Sequence, residues 1–298
     1  MHLNTSYQHS LRRPCQIQGV GLHSGRPAHI TLLPAAPNTG IVFRIRAGGR
    51  QTEIPARMEH IVRTTLNTTL GRDDLQISTV EHLLAALAGL ELDNVVIVTE
   101  GHEVPAVDGS AQPFVARIME SGRRLQPVAR RYIKILAPVE VEDGSRLAGF
   151  YPAGERLFKF IIDFSNRAIG TQSFQVRLTP QSFVSELARA RTFGFIDELE
   201  ALQEQGLALG ADLENAVGLS ADGQVLNGEG LRFPDEFVRH KILDAVGDLS
   251  LMGDPILGEF RGFKSGHTLH GKLLQALVDQ PQAWEYFTLT PQQDAQAV

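Results

Sequence analysis

The segment Phe-Pro-Asp-Glu-Phe-Val-Arg-His-Lys-Ile-Leu-Asp-Ala-Val-Gly-Asp, Phe233 to Asp248, constrains this chain more than any other. Pro234 suits a first helical position, Asp235 and Glu236 complement the amide dipole, and Val238, Ile242, Ala245, Leu249 and Met252 recur with helical spacing up to Gly253, which can end the helix. His240, Asp244 and Asp248 then stand at steps of four along one stripe, so that His240 and Asp244 can reach one ion. Alone, such a stripe reads as a solvated face. Phe237, Leu243 and Gly247 argue otherwise, because they surround it with residues that prefer burial. A polar stripe in an apolar helix needs partners elsewhere in the chain.

The 298 residues exceed the size at which one core is common, which favours two domains. A net charge of −6 gives no general basic footprint, so no nucleic-acid partner is expected and any anionic ligand must be met by local cations. The single Cys15 excludes an intrachain disulfide framework and a cysteine-based zinc site. Histidine and carboxylate must hold any metal. No secretory signal opens the chain and no stretch approaches 18 uninterrupted apolar residues, so a soluble, cytoplasmic protein is expected. A peripheral encounter with a membrane surface is compatible with this composition. A monomer is the expectation.

Strand patterns at Ala28 to Leu33, Ile41 to Ile45 and Val95 to Thr99, with a helix from about Thr79 to Gly89, occupy the first half. The second half repeats the mixture. Strand-like runs at Tyr132 to Val141 and Leu157 to Phe164 precede helix patterns at Ser182 to Ala190, Asp235 to Met252 and Gly271 to Val278. The basic stretch Gly122 to Arg131 around Pro127 reads as a linker between two α+β halves, 1–126 and 132–288, with a frayed tail over 289–298. A duplication of about 130 residues is conceivable, but the sequence does not demonstrate it.

Ser78-Thr-Val-Glu-His has the S-x-x-E spacing of a capping box, which by itself accounts for Glu81. His82 follows it at the edge of the apolar helix Leu83-Leu-Ala-Ala-Leu87, where an imidazole is ordinarily a satisfied core residue. The two halves nevertheless supply complementary parts, His82 from one and His240 with Asp244 from the other. Two histidines and a carboxylate leave a fourth position for water, the pattern of catalytic zinc, and lower the pKa of that water to about 7. Glu81, beside a ligand, is then a natural general base. Lys264-Ser-Gly-His267 is a small-residue loop entering a helix, where a histidine can project into a cleft, although an ordinary loop histidine explains it equally well. If Asp248 reaches His267, the carboxylate orients the imidazole and keeps it protonated. Lys241 can meet an anionic substrate group. Thr192, in Ala190-Arg-Thr-Phe-Gly-Phe195, can donate its hydroxyl to an oxyanion, although a turn after a helix explains the same run.

Gly19-Val-Gly-Leu-His23-Ser-Gly, Ser78-Thr-Val-Glu81-His82, Val107-Asp-Gly-Ser110, Ala190 to Phe195, Gly230 to Asp248 and Lys264-Ser-Gly-His267 together resemble the UDP-3-O-acyl-N-acetylglucosamine deacetylase family, zinc amidases of lipid A synthesis. The resemblance runs from about residue 3 to 288, with every motif in order. It implies Zn²⁺ on His82, His240 and Asp244, Glu81 as base, and His267 as acid or cationic stabiliser oriented by Asp248; the sequence itself leaves Zn²⁺ and Fe²⁺ both open as the native metal. It further implies Thr192 at the oxyanion, Lys241 at the sugar diphosphate, Asp163 and Phe164 at the uridine, and substrate contacts at His23, Phe193 and Asp197. An insert over about 206–233, with Gly210, Leu213, Ala216, Val217, Leu219 and Leu226, would form a passage for the acyl chain. The implied fold is a pair of similar α+β domains stacked sheet-helix-helix-sheet, with the active site at their junction.

Two other readings stay in view. Another amide or ester hydrolase can use the same metal set, and a nucleotide-sugar binding module can retain a structural metal. The second has no need of Glu81 and His267 flanking the metal.

Overall fold

The computed structural model describes residues 6–47 and 49–288; the expected tail over 289–298 lies outside them. Two sheets organise the chain. In the first half, the hairpins Cys15–Val20/Pro27–Pro34 and Ile41–Ala47/Arg50–Pro55 flank a later strand, Val95–Thr99, which runs antiparallel to the first hairpin and parallel to the second. In the second half, Val139–Asp143/Arg146–Tyr151 and Arg156–Asp163/Thr171–Arg177 flank Ile256–Phe263 with the same strand directions.

A helix precedes each late strand and another follows it. Glu81–Gly89 and Gln112–Ser121 belong to the first sheet, and Glu236–Leu249 and His267–Val278 to the second. The order of elements is thus repeated, a symmetry that residue identities did not reveal. Arg131–Ile135 and Trp284–Thr288 extend the second sheet.

Alternating burial along Pro27–Pro34 and Arg156–Asp163 shows that each sheet offers one face to the core. The helices fill the space between. Glu81–Gly89 buries eight of its nine residues, so it has no solvent face, as expected of an apolar helix in the middle of a core. It packs against Glu236–Leu249, which buries Phe237, Leu243 and the whole His240, Asp244 and Asp248 stripe. Gly247 permits the close crossing: a Cβ there would lie 2.0 Å from the Glu81 carbonyl oxygen. The mixed α+β class expected from the sequence is the class observed.

Each half inserts extra chain between its second hairpin and its central helix. The first insert is the small sheet Ile61–Arg63, Thr69–Arg72 and Leu75–Ile77. The second contains Phe193–Phe195, parallel to Val217–Leu219, with the helix Ile196–Glu204 connecting them. Leu213 and Leu226 of the expected acyl-passage segment pack over Gly218 yet remain largely exposed, as does Leu209.

Four local expectations are corrected. The basic stretch expected as a linker is a strand, Arg123–Ala129, paired with Tyr7–Leu11. Arg130 beside it is buried, with Nε and Nη2 donating to Asp93 and Nη2 also to the Glu91 carbonyl. The acids that neutralise it lie some way back in the chain, so the local charge run misleads. Tyr132 to Val141 is broken into Arg131–Ile135 and Val139–Asp143. The Ser182 to Ala190 helix is a single turn, Pro180–Ser182, followed by a π-helical turn, Phe183–Leu187. The Ser78 capping box does not form: Thr79 takes a left-handed φ of 58°, and the Ser78 hydroxyl donates to the His102 carbonyl instead. Among the described residues no helix is long and apolar enough to cross a membrane.

Candidate metal centre

Three ligand atoms converge where the two central helices cross. His82 is the second residue of Glu81–Gly89, and His240 and Asp244 share one face of Glu236–Leu249. Asp244 Oδ1 lies 3.4 Å from His82 Nε2 and 3.3 Å from His240 Nε2, and the potential ligand atoms all fall within 4.8 Å of one another. His240 Nδ1 donates to the Ala190 carbonyl at 3.1 Å, which leaves the Nε2 lone pair facing the cluster. Burial, with Lys241 and His82 adding to it against the pull of Asp244, lowers the His240 pKa to about 4, so the ring is neutral as a ligand must be.

Asp244 supplies the test of fit. Burial works against its charge, but His240, Lys241 and His82 hold it well below the usual carboxylate range. Its Oδ2 accepts from Lys241 Nζ at 2.8 Å, while Oδ1 is buried without a hydrogen-bond partner. An ionised oxygen left so is costly unless a cation meets it. Two imidazole nitrogens and this oxygen make a donor set suited to a divalent transition metal.

Carboxylate and imidazole groups of a second kind border this cluster. Glu81 opens the central helix with its side chain buried, and burial raises its pKa despite the opposing charges of His267 and His82. Its Oε2 accepts from the Thr68 N–H at 3.0 Å. His267 begins the helix His267–Val278, a turn earlier than the spacing suggested, and its Nδ1 lies 2.8 Å from Asp248 Oδ2. Burial opposes its charge, but Asp248 more than compensates and raises the imidazole pKa to about 9. The base and the cation expected from sequence therefore lie near one metal-competent cluster, each in an environment that moves its pKa toward neutrality or beyond.

Residues 8–279 match the family model described as UDP-3-O-acyl N-acetylglycosamine deacetylase. The chain belongs to this family. Among similar proteins, a UDP-3-O-acyl-N-acetylglucosamine deacetylase of Histophilus somni (strain 129Pt) is 43% identical over 290 residues, covering 96% of this chain and 95% of that protein.

Around the cluster of this family member, the other sequence-derived positions separate into near and far groups. Lys241 is partly buried and tied to Asp244. Thr192 donates its N–H to the Gly109 carbonyl, which joins the Ala190 to Phe195 run to the Val107 to Ser110 loop. Phe193 stands edge-on to Phe237 and His240, and Phe164 edge-on to Phe193, so an aromatic path leads from the cluster outward. His23 is buried, its Nδ1 accepts from the Ala208 N–H, and its Nε2 has no hydrogen-bond partner. Asp163 is exposed and paired with Lys264 and Thr171, and Asp197 is exposed on the helix Ile196–Glu204. Among the described residues, no hydrogen bond or ion pair joins Asp163 or Asp197 to the metal-competent cluster.

Three further residues that the sequence did not single out contact the expected site residues of this deacetylase-family chain or the segments that carry them. Thr68 donates its hydroxyl to Asp248 Oδ1 at 2.6 Å. His270 places Nδ1 2.7 Å from the same Asp248 Oδ2 that holds His267. The i, i+3 spacing of His267 and His270 was the available signal. Arg191 is wholly buried and bonds Glu236 through its backbone N–H, Nε and Nη2, which fastens the Ala190 to Thr192 segment to the start of the helix Glu236–Leu249. Nothing local marks Thr68 or Arg191.

Proposed function

We propose that this protein hydrolyses the N-acetyl group of UDP-3-O-acyl-N-acetylglucosamine, giving acetate and UDP-3-O-acyl-glucosamine in lipid A biosynthesis. One observation carries the reading: in a chain of this family, Glu81 and His267 flank a buried His82, His240 and Asp244 set whose carboxylate oxygen lacks a donor. A module that only bound a nucleotide sugar would have no use for that pair.

Zn²⁺ held by His82, His240 and Asp244 would polarise the acetyl carbonyl and lower the pKa of water there. Glu81 takes a proton from the attacking water, a task suited to a carboxyl raised by burial. His267 carries the complementary proton and delivers it to the departing glucosamine nitrogen. Asp248 keeps that ring oriented through Nδ1, leaving Nε2 for the substrate. The Thr192 hydroxyl faces the developing oxyanion, and Lys241 meets the sugar diphosphate once substrate competes with Asp244 for its ammonium. Phe193, Asp163, Phe164, Asp197 and His23 complete the substrate contacts, with the nucleotide farthest from the metal. Leu209, Leu213 and Leu226 line the acyl passage; their exposure without substrate supports that role, whereas Val217 and Leu219 of the same insert are core residues. We place the enzyme in the cytoplasm as a monomer that can encounter a membrane surface peripherally. Its single thiol, Cys15, is free.

Acetate release from UDP-3-O-acyl-N-acetylglucosamine of graded acyl length, with and without a chelator, tests the reading. Turnover that depends on both the metal and the acyl chain is expected. Equal turnover of short, unacylated amides would favour a general zinc amidase, and binding without acetate release would favour the binding module.

A further inference from the structure

Asn67, Thr68 and Thr69 are three consecutive polar residues, each at most 1% exposed, at the entry to the strand Thr69–Arg72. Such a run is costly to bury unless its groups are engaged. Thr69 donates to Asn67, and Asn67 donates to Thr79. Thr68 faces the other way, toward the metal-competent cluster. Its carbonyl accepts from the Val80 N–H, its own N–H donates to Glu81 Oε2 at 3.0 Å, and its hydroxyl donates to Asp248 Oδ1 at 2.6 Å.

We infer that Thr68 is a positioning residue that fixes the base Glu81 and the acid His267 relative to one another. The hydroxyl matters because of how Asp248 is shared. Its Oδ2 serves two imidazoles, His267 Nδ1 at 2.8 Å and His270 Nδ1 at 2.7 Å, while Oδ1 is taken by Thr68. With Oδ1 occupied, both rings must converge on a single oxygen. Remove the hydroxyl and the carboxylate can turn about its Cβ–Cγ bond, giving each histidine its own oxygen. His267 then leaves the orientation in which it faces the scissile bond. The backbone N–H of the same residue holds the base, so the two arms are set by the internal geometry of one threonine.

This inference rests on the hydrolytic reading above, and the test separates the two. Thr68→Val removes the hydroxyl at nearly constant volume and leaves the backbone bond to Glu81; Thr68→Ser keeps the hydroxyl. The Val variant should lower kcat on UDP-3-O-acyl-N-acetylglucosamine by about 10- to 100-fold, with KM and bound metal unchanged, and Ser should recover most of the rate. Wild-type kcat in the Val variant, or a Ser variant as impaired as Val, overturns the inference. If the Val variant does not fold because a methyl meets the Asp248 carboxylate, Thr68→Ala removes the hydroxyl without that contact and is judged by the same outcomes. Glu81→Gln is measured alongside. An inactive Glu81→Gln beside a fully active Thr68→Val sinks the inference and leaves the hydrolytic reading standing, whereas a fully active Glu81→Gln sinks that reading itself.

Discussion

His267 Nδ1 lies 2.8 Å from Asp248 Oδ2, and this buried contact governs the charge of the ring. Asp248 itself is pulled far down: burial raises it, but His267 and His270 outweigh burial. The carboxylate is therefore ionised and Nδ1 donates. With the His267 pKa at about 9, the alkaline limb of the rate profile should fall near that pH, as the acid loses its proton. Asp248→Asn should bring the limb down toward the ordinary imidazole range, and a limb that stays in place would remove His267 from the acid role.

The same shift has a consequence for stability with a definite sign. A histidine whose folded pKa is raised stabilises the fold fully below its unfolded value of about 6.5 and loses that contribution as pH rises through the folded value. For His267 the window runs from 6.5 to about 9, and the contribution is on the order of 3 kcal/mol. Melting of the chelated protein should show wild type losing more stability than Asp248→Asn across that window. Parallel curves would contradict the assignment.

His240→Ala should lose bound metal on dialysis. Among the described residues, His82, His240 and Asp244 alone form that cluster, and the His240 ring is held in register by the Ala190 carbonyl. Metal analysis at full occupancy in this variant would rule out the ligand assignment. Adding the chelator to wild type should likewise abolish acetate release, and restoring Zn²⁺ should return it.

How much of this site can be read without coordinates follows from what each residue depends on. His240, Asp244 and Asp248 are legible because helical periodicity puts them on one stripe and the apolar residues around them show that the stripe is covered. His82 is legible as a polar residue in the first turn of a helix whose following residues, Leu83 to Ala88, are all apolar. Thr68 and Arg191 are not, because their partners are 180 and 45 residues away and neither sits in a periodic pattern. Glu81 is legible only in part. The S-x-x-E spacing suggested a cap, whereas the left-handed Thr79 turns Ser78 aside and frees the carboxylate to accept from Thr68. The repeated order of hairpin, hairpin, helix, strand, helix follows from the family resemblance but is not legible in the residues themselves, for a similar reason. Pairing order is conserved between the halves by topology, and topology leaves no trace in residue identity.

Arg191→Met tests the clasp behind the metal helix. Arg191 is paired with Glu236, which is 0% exposed, and removing the guanidinium strands that carboxylate in the core. Loss of one partner from such a pair costs about 3–5 kcal/mol. The urea midpoint should fall accordingly at an unchanged slope. Combining Arg191→Met with Glu236→Gln should recover part of the loss, since no buried charge is then left unpaired and the other partner, Glu229, is exposed; a double variant as unstable as the sum of both singles would show that the pair is not coupled.

Gly247→Ala probes the crossing on which the whole site depends. Gly247 lies within a helix, where alanine is the better helix former by about 1 kcal/mol, so propensity alone predicts stabilisation. Packing predicts the reverse. An added Cβ would sit 2.0 Å from the Glu81 carbonyl oxygen, a backbone atom that cannot swing aside as a flexible side chain would. The helices must separate, at a cost of about 1–3 kcal/mol for an overpacked core, and the separation moves His82 away from His240 and Asp244. Packing should win: the variant should be less stable than wild type in urea and should bind metal more weakly. A stabilised variant with wild-type metal affinity would mean that the close approach of these two helices does not set the spacing of the ligands.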